Sequence, residues 1–564
     1  MTDRIKLVVE KFDYLKSQRG TWNNHFQLLG EYVHQNKQNF EATQTPGEFL
    51  NDQIFDSMGT FAAVNAASSL LGMLWPGSAK QSIEIVKPDG LEDSAELDAF
   101  YQDRMTDRTI RAMDDPNANL IIALDEYMLD QQVFGTSGVG VEKGKKSKLL
   151  YKPYGVKEAY IEEGAGGRVD EIYLHYEWRI DRLVDEYGLE NVSEKVRKLY
   201  ENGHGSKCVK VLVSIKERKE FKATEGMLAM PFEALHIEYE SKHLLKEEGF
   251  NELPIMMARM RKLNYERYGR SPAMQALPDI REANALREAL IIATEKVLDM
   301  PKGVFNDGVM GGGVIDTSAK AINVFNDNGN GSPIFDIGTP PDLRAALGRL
   351  EELRQSISQH FNIDRLLDFN NEQQMTFGEA QIRNQIRTAS LSSLFARQIT
   401  ELFTPLIERS VSILFREGEF GVIRDSDEER ELLEAGVQDI EYIPDALVKL
   451  LEKGDSIYEV RYKTQAKQAS RAEDYLAILD VINFAGQAMN IDPTLAKRID
   501  LHEGLKEIAD IRSIPASMIK ADDVFNEEMQ AEQEAMQQQQ QMEQAAQVAD
   551  IANKAAPLLQ GQNE

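Results

Sequence analysis

One stretch, Ser271 to Glu417, limits what this chain can fold into more than any other. It reads as two helices flanking a glycine-rich extended segment, then a short polar loop, then one very long helix. Ser271-Pro272 joins a good N-cap to a proline at the first helical position, and Met274, Leu277, Ile280, Ala283, Leu286, Leu290, Ala293 and Val297 follow at helical spacing. Pro278 either kinks this helix or marks its true start. From Pro301 the pattern fails. Gly303, Gly308, Gly311, Gly312 and Gly313 stand among short β-type runs at Val314-Ile315, Ile322 to Phe325 and Ile334 to Ile337, which predicts a small β excursion. Helix resumes at Thr339-Pro340-Pro341-Asp342, with Leu343, Leu347, Leu350, Leu353, Ile357 and Phe361 on one stripe. Asn362 to Met375 breaks the pattern, and Thr376-Phe377-Gly378-Glu379 then forms a capping box with no strong stop before Gly418. That is roughly 60 Å of helix at about 1.5 Å per residue, with Pro405 expected to bend it. An out-and-back helical pair with a β tip, crossed at its base by a long helix, is a shape for which a compact enzyme core has little use.

The bulk of the chain narrows the classes further. A length of 564 residues with 42% apolar composition allows about two to four domains with large cores. The 64 basic and 93 acidic residues leave a net charge of −29, which repels a phosphate backbone; tight nucleic-acid binding is disfavoured, contact without adhesion is not. The single cysteine, Cys208, excludes an internal disulfide framework and a multi-cysteine metal site. No run of eighteen apolar residues occurs and the first residues are charged, so neither a membrane span nor a signal peptide is expected, and a reducing cytoplasm is the expected place of synthesis.

In chain order, residues 2 to 36 read as a helix pair around Gly20, with Trp22 a core residue. Phe55 to Leu74 is an Ala- and Ser-rich helix with Met58, Phe61, Val64, Ser68, Leu71 and Leu74 on one face, its small residues permitting close approach to another helix. Ser82 to Val86 reads as a strand, Leu91 to Met113 and Asn117 to Phe134 as helices. Gly138 to Glu240 is mostly β with a helical interruption at Asp181 to Tyr200. Past Gly418 come a strand at Ser456 to Tyr462 and helices at Gln468 to Gln487 and Pro493 to Ile511. From Ala521 the chain is almost wholly Gln, Glu, Met and Ala, either a polar helix that needs partners or a disordered tail.

Sites of chemistry are scarce. Gly138 to Ser147 imitates a phosphate loop, but Gly140 and Gly144 enclose too few residues and Lys146 intrudes before Ser147, so a β-hairpin with a basic turn is expected. Asn326, Asn328, Asn330 and Gly331 imitate a calcium loop, yet Ile337 stands where a bidentate Glu is needed. The histidines, among them His175, His236 and His360, form no metal-binding pair; no nucleophile elbow exists, and no cofactor or metal is expected. The chain reads as non-enzymatic.

Several quoted segments, taken in order, resemble the podovirus-type head-to-tail connecting proteins, the portal proteins of tailed bacteriophages. They are Arg19 and Trp22; Ile54-Phe55-Asp56-Ser57 opening the helix that ends near Trp75-Pro76; Val133-Phe134-Gly135-Thr136; and Tyr268-Gly269-Arg270-Ser271-Pro272-Ala273-Met274 with Leu277-Pro278-Asp279. The resemblance covers about residues 15 to 520 and is weakest in the glutamine-rich tail.

It implies an α+β, predominantly helical ring subunit. Residues 1–265 would be the α+β wing, 266–300 the first stem helix, 301–341 the clip and 342–361 the second stem helix. Residues 362–375 would be the tunnel loop, 376–418 the long wing helix, 419–518 the crown, and 519–564 a helical barrel or disordered tail. It further implies a homo-oligomer, usually a dodecamer, at one capsid vertex of the virion, assembled in the host cytoplasm. Duplex DNA would pass through it transiently and without sequence preference during packaging and ejection. The clip, with Asp307, Asp316, Lys320, Asn323 and Asp327, would dock the terminase large subunit and later tail or adaptor proteins; capsid and scaffolding proteins are the other implied partners, and no membrane is. In the tunnel loop Asn370, Asn371, Gln373 and Gln374 would make weak exchangeable bonds to phosphates, with Arg365 either joining them or pairing with Asp364 or Asp368. The competing reading is a long-helix scaffolding or adaptor protein without a DNA channel, suggested by the Gln/Glu/Met/Ala tail.

Overall fold

The computed structural model describes residues 2–37, 39–40, 47, 52–75, 83–88, 91, 94, 97, 99–218, 230–306, 315–326, 334–337, 342–363, 396–424, 426, 429–430, 433, 440–453, 457–462, 478–482, 504 and 508. Two compact units result, one from Met1–Ile83, Thr109–Glu419 and Val460–Ala466, the other from Glu84–Arg108, Phe420–Glu459 and Lys467–Glu564. The fold is a mixture of helices and sheets, as the α+β reading requires.

The first unit begins with helices α1 (Thr2–Gln18), α2 (Gly20–Tyr32), α3 (Met58–Leu74) and α4 (Leu120–Phe134). Strands β1 (Thr136–Lys143), β2 (Leu149–Gly155), β3 (Ala159–Glu163) and β4 (Val169–Arg179) follow, then helices α5 (Ile180–Tyr187) and α6 (Glu194–Glu201), then strands β5 (Cys208–Glu217), β6 (Phe232–Glu238), β7 (His243–Phe250) and β8 (Ile255–Arg259). They form two antiparallel sheets, ordered β2-β1-β8 and β3-β4-β5-β6-β7. Strands β7 and β8 lie beyond the stretch that the sequence pattern marks as β. The reason is visible in each: β7 is rich in Lys, Glu and Gly, and β8 is a short apolar run without alternation because it is buried along its whole length.

Helix α1 lays Ile5, Val8, Val9, Phe12 and Leu15 on Tyr160, Tyr173, Leu212, Leu235 and Ile237 of the larger sheet. Burying five such side chains stabilises the unit by on the order of 10 kcal/mol as an upper estimate. Where α1 meets α2, Arg19 is buried; its guanidinium lies 3.5 Å from the Tyr160 ring centroid and donates to the carbonyls of Val156, Lys157 and Ala159. A planar five-donor fork is what makes one cation able to close three carbonyls at once.

Helix α3 buries mostly the face opposite the predicted one, although Leu74 of the predicted set is buried. Gly59, Ala62, Ala63, Ala66, Ala67, Leu70 and Leu74 are buried, whereas Phe61 and Val64 are exposed. Small side chains let the backbone approach its neighbours, so close approach rather than side-chain volume selects the inward face. The Gly138 to Ser147 stretch is the hairpin β1–β2, as expected; Gly138 and Gly140 serve close packing against Met256, Met257, Ile255 and Tyr154.

In the second unit the backbone of Val422 pairs with that of Tyr442, Arg104 donates to the Tyr442 carbonyl at 2.8 Å, and the Tyr101 hydroxyl donates to the Ile457 carbonyl. Residues 100–106 wind as a wide π turn. No described helix is long and apolar enough to cross a membrane.

Candidate functional site: a helical hairpin with a β tip

The stretch that dominates the sequence becomes helix α7 (Pro272–Leu298), strands β9 (Lys302–Asn306), β10 (Ile322–Asn326) and β11 (Ile334–Asp336), and helix α8 (Arg344–His360). Ser271 starts α7 as read, its hydroxyl accepting from Met274 N at 3.0 Å while donating to the Val133 carbonyl at 2.7 Å. Pro278 lies inside α7 and does not start it.

The hairpin is pinned at its base. Asn284 of α7 accepts from the N–H groups of Phe55 (2.7 Å) and Asp56 (3.1 Å) with one oxygen and donates to the Gln53 carbonyl at 3.0 Å. Arg354 of α8 donates twice to the Asp56 carboxylate, at 2.7 and 3.2 Å. Gly59 of α3 brings its backbone against Ile280. Between the two helices Ser356 donates to Asp279 at 2.6 Å, His360 lies 3.6 Å from the same carboxylate, and Arg349 pairs with Glu282. His360 thus faces α7, besides standing at the end of its own helix.

Outward of Leu290 the apolar stripe of α7 continues but its cover stops. Ile291, Ile292 and Leu298 are exposed, Leu298 at 81%, and Leu347 of α8 is 50% exposed. The charges on the pair balance: three basic and four acidic side chains on α7, three basic and two acidic on α8, six against six. The excess of −29 therefore resides elsewhere in the chain.

At the tip the strand order is β10-β9-β11, with β9 parallel to β10 and antiparallel to β11. Strand β9 was not legible in the sequence because Lys302-Gly303 opens it; Gly303 makes room for the Phe335 ring, which in turn meets Phe325 at 5.6 Å. One face is thus filled. The other carries Val324 opposite Val304 and Ile334 opposite Val304, and both outer members are exposed.

Of the candidate clip residues, Asp316, Lys320 and Asn323 come together here. Asn323 is buried; it accepts from Asp316 N at 2.7 Å and donates to the Asp316 carbonyl at 2.8 Å, shaping the loop that leads into β10. Asp316 takes both the N–H and the hydroxyl of Ser318, and these bonds lower its pKa. Lys320 adopts φ +68, and its N–H donates to the Asp299 carbonyl at 3.2 Å. Asp307 and Asp327 lie outside the described residues, as do the tunnel-loop candidates Arg365, Asn370, Asn371, Gln373 and Gln374 and the 519–564 tail.

Of the predicted long helix, the described part is 396–416, ending in α9 (Thr404–Arg416). Gly418, at φ +72, closes it with paired bonds from Gly418 N to Phe415 O and from Glu419 N to Leu414 O, both 3.1 Å. Buried Arg409 ties α9 to β1 through the Val141 carbonyl at 3.0 Å and to Glu252, and burial pushes its pKa down to about 10.

Three of the sequence segments quoted above meet in one knot. Trp22 lies 5.7 Å from Tyr268 and under the Arg270 guanidinium at 4.8 Å; Phe26 meets Phe134 at 5.8 Å; Gly269 N donates to Thr136 Oγ1 at 2.8 Å. Among the described residues no group of three or more His, Cys, Asp or Glu is placed to hold a metal ion.

Comparison with known proteins finds relatives of the chain. A family profile described as bacteriophage head to tail connecting protein matches residues 6–519. The chain is 24% identical over 416 residues, 72% of its length and 73% of the relative's, to a probable portal protein of Bordetella phage BPP-1. It is 21% identical over 533 residues, 92% of its length and 89% of the relative's, to the portal protein of Salmonella phage epsilon15. A solved chain from the virion of a native gene transfer agent particle aligns over 69% of this chain and 94% of its own, at 11% identity and a TM-score of 0.27. With the profile spanning nearly its whole length, the chain belongs to the bacteriophage head-to-tail connecting protein family.

Proposed function

We propose that this chain is one subunit of a portal ring, a dodecamer, that encircles the duplex genome at one capsid vertex and carries out no catalysis of its own. In this reading α7 and α8 are the stem, β9 to β11 the clip, residues 362–375 the tunnel loop, and the α+β body the wing. Beside family membership, the observation that carries it is the hairpin itself: Ile291, Leu298, Leu347, Val324 and Ile334 are left in water by a lone chain, and neighbouring copies would cover them. The balanced charges of the hairpin suit a wall past which a polyanion slides, offering few strong phosphate anchors. The clip would engage the packaging terminase and, after filling, tail or adaptor proteins, while the outer body meets capsid and scaffolding proteins.

Electron microscopy of the purified chain tests the proposal. Rings with a central opening wide enough for duplex DNA are expected; monomers and dimers under all salt conditions would sink it.

A further inference from the structure

Helix α9 is entered through an unusual turn. Residues 396–398 are α-helical, Ile399–Phe403 wind as a π turn, and Thr404 N donates to the Ile399 carbonyl, five residues back. Such a turn holds one residue more than an α-helix would over the same path. Pro405 favours it, since in an α register the ring would press on the Glu401 carbonyl and supply no N–H.

A second restraint acts from outside the helix. Arg259, fully buried at the end of β8, donates its backbone N–H (2.9 Å) and Nε (3.4 Å) to Glu401 Oε2 and its Nη2 (2.9 Å) to Oε1. The rest of the fork is held by Glu163 Oε2 at 3.0 Å and the Gly167 carbonyl at 2.7 Å, and Arg397 adds a bond to Glu401 Oε1 at 2.8 Å. Phe403, on the far side of the turn, stacks on Trp75 at 5.9 Å and on Tyr462 at 5.3 Å, and the Tyr127 hydroxyl bonds to Gln398. Converting the turn to α while α9 stays fixed rotates each preceding residue by about 100° and shifts it by about 1.5 Å. Glu401 would then leave Arg259, breaking three of its bonds and leaving the buried cation with Glu163 as its one remaining carboxylate.

We propose that Arg259 is a register lock: by gripping Glu401 it holds the wide turn and thereby sets the rotational phase of the helix that leads into α9. The turn is a two-state element, wide with the lock closed and α-helical with it open. Opening reorients residues 396–398 while β8 and α9 stand still. This does not depend on the chain forming a channel.

The test uses the full chain carrying Cys208→Ser, spin-labelled at 396 and 152 or, as a control beyond the turn, at 408 and 152, and mixed with excess unlabelled chain. Double electron–electron resonance should show one distance for each pair in the parent. In Arg259→Met combined with Pro405→Ala, the 396–152 distribution should gain a second population displaced by roughly 8 Å, as a 100° rotation at the side-chain periphery requires, with the 408–152 distance unchanged. Pro405→Ala alone should keep the parent distribution; a shift there assigns the register to the proline and overturns the role of Arg259. If Arg259→Met fails to fold, Glu401→Gln with Pro405→Ala is read by the same criterion. An unchanged 396–152 distance in either folded double variant overturns the lock.

Discussion

Gly135 and Gly269 face each other backbone to backbone, and neither has room for a side chain. A Cβ on Gly135 would lie 2.6 Å from the Gly269 carbonyl oxygen, and one on Gly269 would lie closer still to that of Gly135. Gly135 also needs φ +74 to end α4 and turn into β1. Gly269→Ala is therefore expected to cost about 1–3 kcal/mol through overpacking, and Gly135→Ala about 1–2 kcal/mol more for the left-handed backbone. Urea denaturation checks this: the midpoint should fall with the slope unchanged, and a midpoint within error of the parent for Gly269→Ala would refute the close approach.

The base of the hairpin should depend on one ion pair. Asp56 has a side chain only 2% exposed, with Arg354 as its cationic partner. Arg354→Met leaves that buried carboxylate without its countercharge, at a cost of about 1–3 kcal/mol because the arginine is part-exposed. Asp56→Asn in the same chain should recover part of the loss. Thermal unfolding of the two single variants and the double variant gives the coupling, and strict additivity would mean the pair is not the anchor.

Acid should loosen the body through its histidines. Burial, with Lys37 beside His34 and Lys16 beside His175, holds both rings at about 4, below the usual 6.5. The folded state thus disfavours their protonated forms, while the unfolded chain takes up protons from pH 6.5 downward. Stability is full above pH 6.5 and is lost as pH falls from 6.5 towards 4, by less than about 1.4 kcal/mol per pH unit per ring because both rings are part-exposed. His175→Gln should flatten the slope of melting temperature against pH in that window. An unaltered slope would place the proton uptake elsewhere.

Assembly should be separable from folding. Ile291→Glu with Leu298→Glu changes only exposed positions and is expected to leave the unfolding midpoint within about 0.5 kcal/mol. Ring formation should nevertheless fail, as read by sedimentation velocity. Intact rings would remove the outer hairpin from the proposed subunit contact.

The tip can be tested through Asn323. Asn323→Ala deletes both bonds to the Asp316 backbone, so amide exchange at 315–320 should quicken about tenfold, the equivalent of about 1.4 kcal/mol. Rings should persist while terminase or adaptor binding weakens. Unchanged exchange would show that the loop is held by other contacts.

Features set by neighbouring residues were readable from the amino-acid order alone. Ser271-Pro272 begins α7 and Gly418 ends α9, because caps and left-handed stops depend on neighbouring residues alone. The helix pair at the N-terminus, the β1–β2 hairpin in place of a phosphate loop, and the order of helix, β tip and helix were legible on the same ground, and the family resemblance rested on that order. Tertiary structure decided what depends on distant partners. It turned α3 so that alanines face inward and Phe61 outward, since approach distance outweighs side-chain size there. It hid β8 in a fully buried position where no alternation could betray it, and it made Asn284, Arg259 and Arg354 into anchors, although nothing in their local sequence distinguishes them from solvent-facing polar residues. It also set a wide turn just ahead of Pro405, where Arg259, 142 residues before Glu401 in the chain, supplies the charge that holds that carboxylate in place.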